Sequence, residues 1–215
     1  MFPTNAFQKI LLLFFLLIGA LIAVRVFYSG SGRYIFLVWN IFLAWIPMFI
    51  SQYLTANSNS KYMQGILLST WLLFFPNALY IITDLIHLQA VSIVPKWFDA
   101  ILLFTSSFVG LMMAFISLHK VERFLTGMLS KRKVSMLIIL FLFLGSFGVY
   151  LGRFLRWNSW DIINNPLTLL SSIADRFLFP TQHLQTWSVT FILTAVFYLF
   201  YLTIKKLPGY LNRAV

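Results

Sequence analysis

"GILLSTWLLFFPNALYIITDLIHL", residues 65–88, decides the fold. The span it belongs to, about 62–82, carries no charged side chain. At 1.5 Å per residue, a helix of that length crosses a hydrocarbon core of about 30 Å. The run then ends on Asp84 and His87, scarce groups in a chain with five acids and three histidines. An apolar helix with a polar tip is the unit from which the rest of the sequence reads.

Five more runs of this kind occur, at about 10–27, 34–54, 97–119, 134–154 and 187–204. Apolar residues make up 60% of the 215 and charged residues 10%, where a soluble domain carries about 25% charge. Mean hydropathy is +0.88. The 24 Phe, seven Trp and nine Tyr suit a lipid-facing surface with aromatic belts at its edges. The expected fold is an all-α polytopic membrane bundle of six transmembrane helices, a single integral membrane domain over 1–215. The linkers "RVFYSGSGR" and "TANSNSK" are turn-like. Lys9 ahead of an apolar core gives the first span some likeness to a signal peptide, but "GALIAVRVFYSG" offers a poor cleavage site, so the span is expected to stay.

The net charge of +11 does not point to nucleic acid. Only "KRK" at 131–133 is a basic run, and no aromatic residues interleave it. Membrane proteins collect Lys and Arg in cytoplasmic loops. Ten of the sixteen basic residues fall on the side of the termini: Lys9, Lys61, Lys120, Arg123, Lys131, Arg132, Lys133, Lys205, Lys206 and Arg213. Arg25, Arg33, Lys96, Arg153, Arg156 and Arg176 fall on the other. Both termini are therefore expected in the cytoplasm. Cysteine is absent, which excludes disulfides, thiolate nucleophiles and cysteine-bound metals.

The polar residues divide by side. Asp84-x-x-His87 and His119-x-x-Glu122 each offer two metal ligands one turn apart. The first lies at the outer end of span three and the second at the inner end of span four, so one shared metal is excluded by the thickness between them. His119 and Glu122 are expected at a solvated helix end. On the outer side, Asn77, Tyr80, Asp84 and His87 fall within a stripe about 80° wide on an α-helix. Pro76 is expected to kink or open that helix. Asp99 opens span four, and span five ends in "GVYLGRFLRWNSWD" with Tyr150, Arg153, Arg156, Asn158 and Asp161. Asn40 and Asn77 lie level with each other, about 9 Å below the outer edge, where amides face a protein interior. The expectation is an outward polar cleft in which Asp84, Asp99 and Asp161 face Arg153 and Arg156. The bland alternative is a set of interfacial salt bridges pinning helix ends.

In "NNPLTLLSSIADRFLFP", Asn165 caps and Pro166 opens a helix that Pro180 ends. Its apolar half (Leu167, Leu169, Leu170, Ile173, Ala174, Phe177, Leu178) opposes Thr168, Ser171, Ser172, Asp175 and Arg176. That is a short amphipathic helix for the outer interface in the last outer loop. Gly148-x-x-x-Gly152 and Gly19-x-x-x-Ala23 permit close helix contacts without implying a dimer.

"WNIFLAWIP", "WLLFFPNALYIITDLIHL", "KWFD" and "GVYLGRFLRWNSWDIINNP" together resemble a bacterial multi-pass membrane protein family known as domain of unknown function thirteen-sixty-one. The resemblance spans nearly the whole chain and implies an integral protein of the bacterial cell membrane with no established activity. It marks Asn40, Pro76, Asn77, Tyr80, Asp84, His87, Asp99, Arg153, Arg156, Asn158 and Asp161 as positions to test, without assigning any of them a role.

Three functions compete. First is an enzyme or binder working on an anionic, lipid-linked substrate from the outer leaflet. Asp84, His87 and Asp99 would do acid–base work, and Asn40, Asn77, Tyr80, Arg153, Arg156, Asn158 and Asp161 would hold the substrate. No catalytic motif names a reaction, and no cofactor or metal is called for. Zinc on Asp84, His87, His183 and a further acid is the weakest variant. Second is an accessory subunit docking a partner through its outer face. Third is a small transporter, which the lack of ionisable groups deep in the spans disfavours. The partner common to all three is the lipid bilayer; oligomeric state is not legible.

Overall fold

The computed structural model describes residues 6–55, 60–89, 93–158 and 160–211. The chain is an all-α bundle: α1 (Ala6–Ser29), α2 (Phe36–Ile50), α3 (Lys61–Tyr80), α4 (Lys96–Thr126), α5 (Lys131–Phe154), α6 (Asp161–Asn164), α7 (Pro166–Leu178) and α8 (Leu184–Leu211). Six stretches are long and apolar enough to cross a membrane: Ala6–Ser29, Phe36–Tyr53, Lys61–Leu88, Lys96–Thr126, Lys131–Phe154 and Pro180–Tyr210. The six expected spans are all present; five are longer than their hydropathy cores because polar helix ends extend beyond the apolar run, and the second, Phe36–Tyr53, falls just inside the expected 34–54. Residues 56–59 of the turn-like linker, the loop segment 90–92 and Arg213 lie outside the described residues.

Local chemistry sets the helix ends. Gly30, at φ +63°, takes the left-handed conformation that an L side chain resists and donates to the Val26 carbonyl at 2.8 Å, stopping α1. The Ser60 hydroxyl accepts from the Met63 N–H at 3.3 Å, starting α3. α4 is the central element, buried along most of its length and touching α1, α2, α3, α5 and α8. Trp71, Phe75, Ala78 and Leu79 of α3 are fully enclosed, and the Trp71 indole donates to Ser117 of α4 at 3.3 Å.

α3 and α5 meet through small residues. A methyl added at Gly148 would stand 2.7 Å from Cγ of Pro76, and one at Gly145 would stand 2.8 Å from Leu79. The Gly148 spacing is therefore a packing seam, whereas Gly19 has open space around it. Pro76 does not open the helix. α3 runs through it to Tyr80 and tightens into a 3-10 helix only at Ile81–Gln89. There Ser107 of α4 donates to the Ile81 carbonyl at 3.1 Å, satisfying an acceptor where the α ladder changes.

α7 occupies the expected stretch. Pro166 is its first residue, but the Asn165 side chain makes no cap hydrogen bond, a departure from the expected cap. Leu169 is buried, while Leu167, Leu170 and Leu178 are exposed. One apolar strip thus docks on the bundle and the rest stays available to lipid.

Candidate functional site

The 3-10 geometry builds the charged end of the bundle. With three residues per turn, positions i and i+3 eclipse, so Asp84 and His87 share a face and Thr83 stands beside it. Arg153, in the last turn of α5, reaches across to all three. Its Nε donates to Thr83 Oγ1 at 2.8 Å, one terminal nitrogen contacts His87 Nε2 at 3.2 Å, and the other forms an ion pair with Asp84. The guanidinium lies over the Tyr80 ring at 4.3 Å. A guanidinium has only donors, so His87 Nε2 is the acceptor in that contact. The second Asp84 oxygen accepts from the Asn40 amide at 2.9 Å. Asp84 is 1% exposed and both its oxygens are engaged.

Asp99 is not part of this group. Arg25 of α1 takes it in a two-point contact, Nε to Oδ1 at 2.7 Å and Nη2 to Oδ2 at 3.1 Å, with Arg25 2% and Asp99 4% exposed. The Tyr34 ring lies 4.3 Å from the Arg25 guanidinium, and its hydroxyl donates to the His87 carbonyl at 3.3 Å. Tyr34 thereby ties the two charged groups together. Burial first, then the nearby Asp99 carboxylate, pushes the Tyr34 phenol above its ordinary range. Arg25 and Tyr34 were missed at the level of sequence. The signal was a lone arginine in a helix otherwise free of charge after Lys9, which is costly in a membrane unless paired.

Beside the Asp84 group, on the face between α2, α3 and α5, lies a cavity of about 280 Å³. Asn40, Asn77, Tyr80 and Asn158 supply its polar wall, and Trp39, Trp157 and Trp160 supply aromatic surface. Leu43, Leu72 and Leu73 close it toward the middle of the bundle, and Leu169 and Ile173 of α7 roof it. Gly148 and Gly152 let α5 close on Pro76 and Tyr80 along its edge. Arg156 holds φ at +61°, the only positive value outside glycine among the described residues. That turn lets the Trp157 backbone N–H return to the Leu151 carbonyl at 3.1 Å and brings Trp157 and Asn158 to the cavity wall. No lining residue carries a charge.

Residues 39–200 match the family described as a protein of unknown function, DUF1361. The chain belongs to this family. No curated protein and no solved structure matches the chain. The DUF1361 match begins at Trp39, the first residue of the cavity wall, and takes in every lining residue, whereas Arg25 and Tyr34 precede it.

Within this DUF1361 chain the expected residues divide into separate groups. Asn40, Tyr80, Asp84, His87 and Arg153 do come together. Asn77 and Asn158 line the cavity without joining the ion pair. Asp99 departs to Arg25, because α1 packs along α4 and brings an unanticipated cation. Asp161 faces neither arginine; its carboxylate accepts from the Asn158 N–H at 2.7 Å, closing its own turn in the manner of a capping box. His183, of the weakest zinc set, contacts Asp175 of α7 at 2.7 Å, and no group of three possible metal-ligating side chains occurs among the described residues. At the opposite end, His119 is exposed as expected, and Glu122 is partly buried. It accepts from Tyr201 and, at 2.6 Å, from Lys205, pinning α4 to α8, with His119 at 3.8 Å.

Proposed function

We propose that the cavity is an interfacial binding site for an anionic, lipid-linked molecule. The observation that carries this reading is the pairing of a polar, aromatic upper wall with an aliphatic floor beneath the amphipathic roof of α7. A lipid presents the same division, with its head in the interface and its chain below. Arg156, exposed one residue before Trp157 of the wall and without an ion pair or hydrogen bond from its guanidinium among the described residues, is the cation for a headgroup phosphate. Arg153 is the poorer choice, since each of its three nitrogens is already engaged.

In this reading Asp84 positions the wall through Asn40, His87 supports Arg153, Asp99 is held apart by Arg25, and none of the three acts on substrate. A general base must reach the proton that it takes, and both acids are buried against arginines. The chain acts as one integral membrane domain, with the cavity in the outer leaflet of a bacterial cell membrane and both termini in the cytoplasm, the side richer in Lys and Arg. A transport path is disfavoured, because leucines close the cavity below Asn40 and Asn77.

Lipid carried through purification tests this. Wild type should hold anionic lipid above its share of the source membrane. Ile173→Trp, which fills the cavity from its roof, should bring that share down to bulk. Arg156→Gly should relax a backbone cost of about 1 kcal/mol yet lower the retained anionic lipid. Bulk lipid ratios in wild type, or enrichment indifferent to Ile173→Trp, would refute the site.

A further inference from the structure

We infer that the upper half of the cavity recognises a ring bearing several hydroxyls, a sugar or cyclitol carried as the headgroup of the bound lipid. This rests on the lipid-binding reading and narrows it. A ring polyol has C–H faces that lie flat on aromatic surfaces and an equator of hydroxyls that both donate and accept.

The wall matches both demands. Trp39, Trp157 and Trp160 present indole surface, and their indole N–H groups have no hydrogen-bond partner among the described residues. The Asn158 side-chain amide likewise makes no hydrogen bond there. Asn40 adds an oriented acceptor. The carboxylate of Asp84 can only accept, so the Asn40 NH₂ faces it at 2.9 Å, and the amide oxygen is the atom left for the cavity. Arg153 holds Asp84 in turn, so the ion pair fixes an amide instead of meeting the ligand itself. The absence of charge in the lining also matters. A phosphate alone would be matched by cations, and a quaternary amine by carboxylates facing the aromatics. An uncharged wall of amides and indoles has neither preference. It suits a neutral polyol, with Arg156 outside the mouth for the linking phosphate.

The test is lipid retention by native mass spectrometry from phosphatidylcholine nanodiscs, prepared without glycoside detergents because these carry sugar heads. The probes are phosphatidylinositol (phosphate and ring), phosphatidylglycerol (the same charge with an open-chain polyol), monoglucosyl diacylglycerol (ring without phosphate) and diacylglycerol. The expected order places phosphatidylinositol above phosphatidylglycerol and the glucosyl lipid above diacylglycerol. Trp157→Leu should weaken both ring-bearing lipids by about tenfold, the size of one aromatic contact. It should leave phosphatidylglycerol within about twofold, well under the 1.4 kcal/mol of a tenfold change. Trp97→Leu, an exposed tryptophan at the start of α4 outside the cavity, controls for loss of interfacial indole. Equal retention of phosphatidylinositol and phosphatidylglycerol would overturn ring recognition while leaving an anionic-lipid site. Retention of none of the four would overturn both.

Discussion

Removing one member of the Asp84–Arg153 pair should destabilise the bundle more than removing both. In Arg153→Met, Asp84 stays at 1% exposure with only the Asn40 amide for company. A buried charge stripped of its partner costs about 3–5 kcal/mol, and this one belongs at the upper end. In Asp84→Ala, Arg153 keeps Thr83, His87 and the Tyr80 face, and its side chain is 11% exposed, which places the loss at the lower end, about 3 kcal/mol. The double variant has no stranded charge and loses mainly packing, about 1–2 kcal/mol. The assay is reversible unfolding in mixed micelles titrated with a denaturing detergent, followed by tryptophan fluorescence. Single variants each costing under about 1 kcal/mol, the range of solvent-exposed ion pairs, would show that headgroup water screens the cluster. Losses that simply add in the double variant would show that the two side chains do not act as a pair. Either result refutes the reasoning.

Three further outcomes follow from other parts of the bundle. Arg25→Ala should cost about 3 kcal/mol by stranding Asp99, whereas Lys96→Ala, exposed at the start of α4, should stay within about 0.5 kcal/mol; the same titration measures both. Gly148→Ala should cost about 1–3 kcal/mol, because the added methyl meets the Pro76 ring at 2.7 Å, while Gly19→Ala, with nothing within 4 Å, should be neutral or gain up to about 1 kcal/mol of helix propensity. Because the chain has no cysteine, single replacements report topology cleanly. A membrane-impermeant maleimide should label Lys96→Cys on intact cells and Ser130→Cys only after the membrane is opened, and the reverse pattern would invert the proposed orientation.

What the sequence made legible follows from how far apart the cause and its effect lie along the chain. The spans and α7 depend on local hydropathy and on Pro166, so they read directly. Asn40 and Asn77 read correctly as inward-facing, since an amide at that depth has few other options. The Arg25–Asp99 contact joins residues 74 apart, and nothing near Arg25 names its partner. The change to 3-10 geometry at Ile81 depends on Ser107 and on the close approach at Gly110, both on α4, so an α-helical wheel placed Asp84 and His87 on nearly the right face for the wrong reason. Asp161 was misread for the opposite cause. Its partner is three residues away, and the spacing Asn158-x-x-Asp161 is itself a turn signal.

The ion pairs also change what the net charge of +11 means. All five acids are engaged within the protein: Asp84 with Arg153, Asp99 with Arg25, Glu122 with Lys205, Asp175 with His183, and Asp161 with a backbone N–H. Three of the acids are spent on Arg or Lys partners, and the excess of basic over acidic residues leaves cations whose counter-charge comes from outside the chain. At a membrane surface the nearest anions are lipid phosphates, each nearby Lys or Arg attracting them by about 1 kcal/mol. The pairing that removes Asp84 and Asp99 from the list of free acids thus works in the same direction as the uncharged cavity. Of the acids only Asp161, between the lining residues Trp160 and Ile162, stays beside the wall, its carboxylate turned onto the Asn158 N–H, and Arg156 has no ion pair among the described residues. A protein that kept those acids exposed would have turned an anionic lipid away from this end of the bundle.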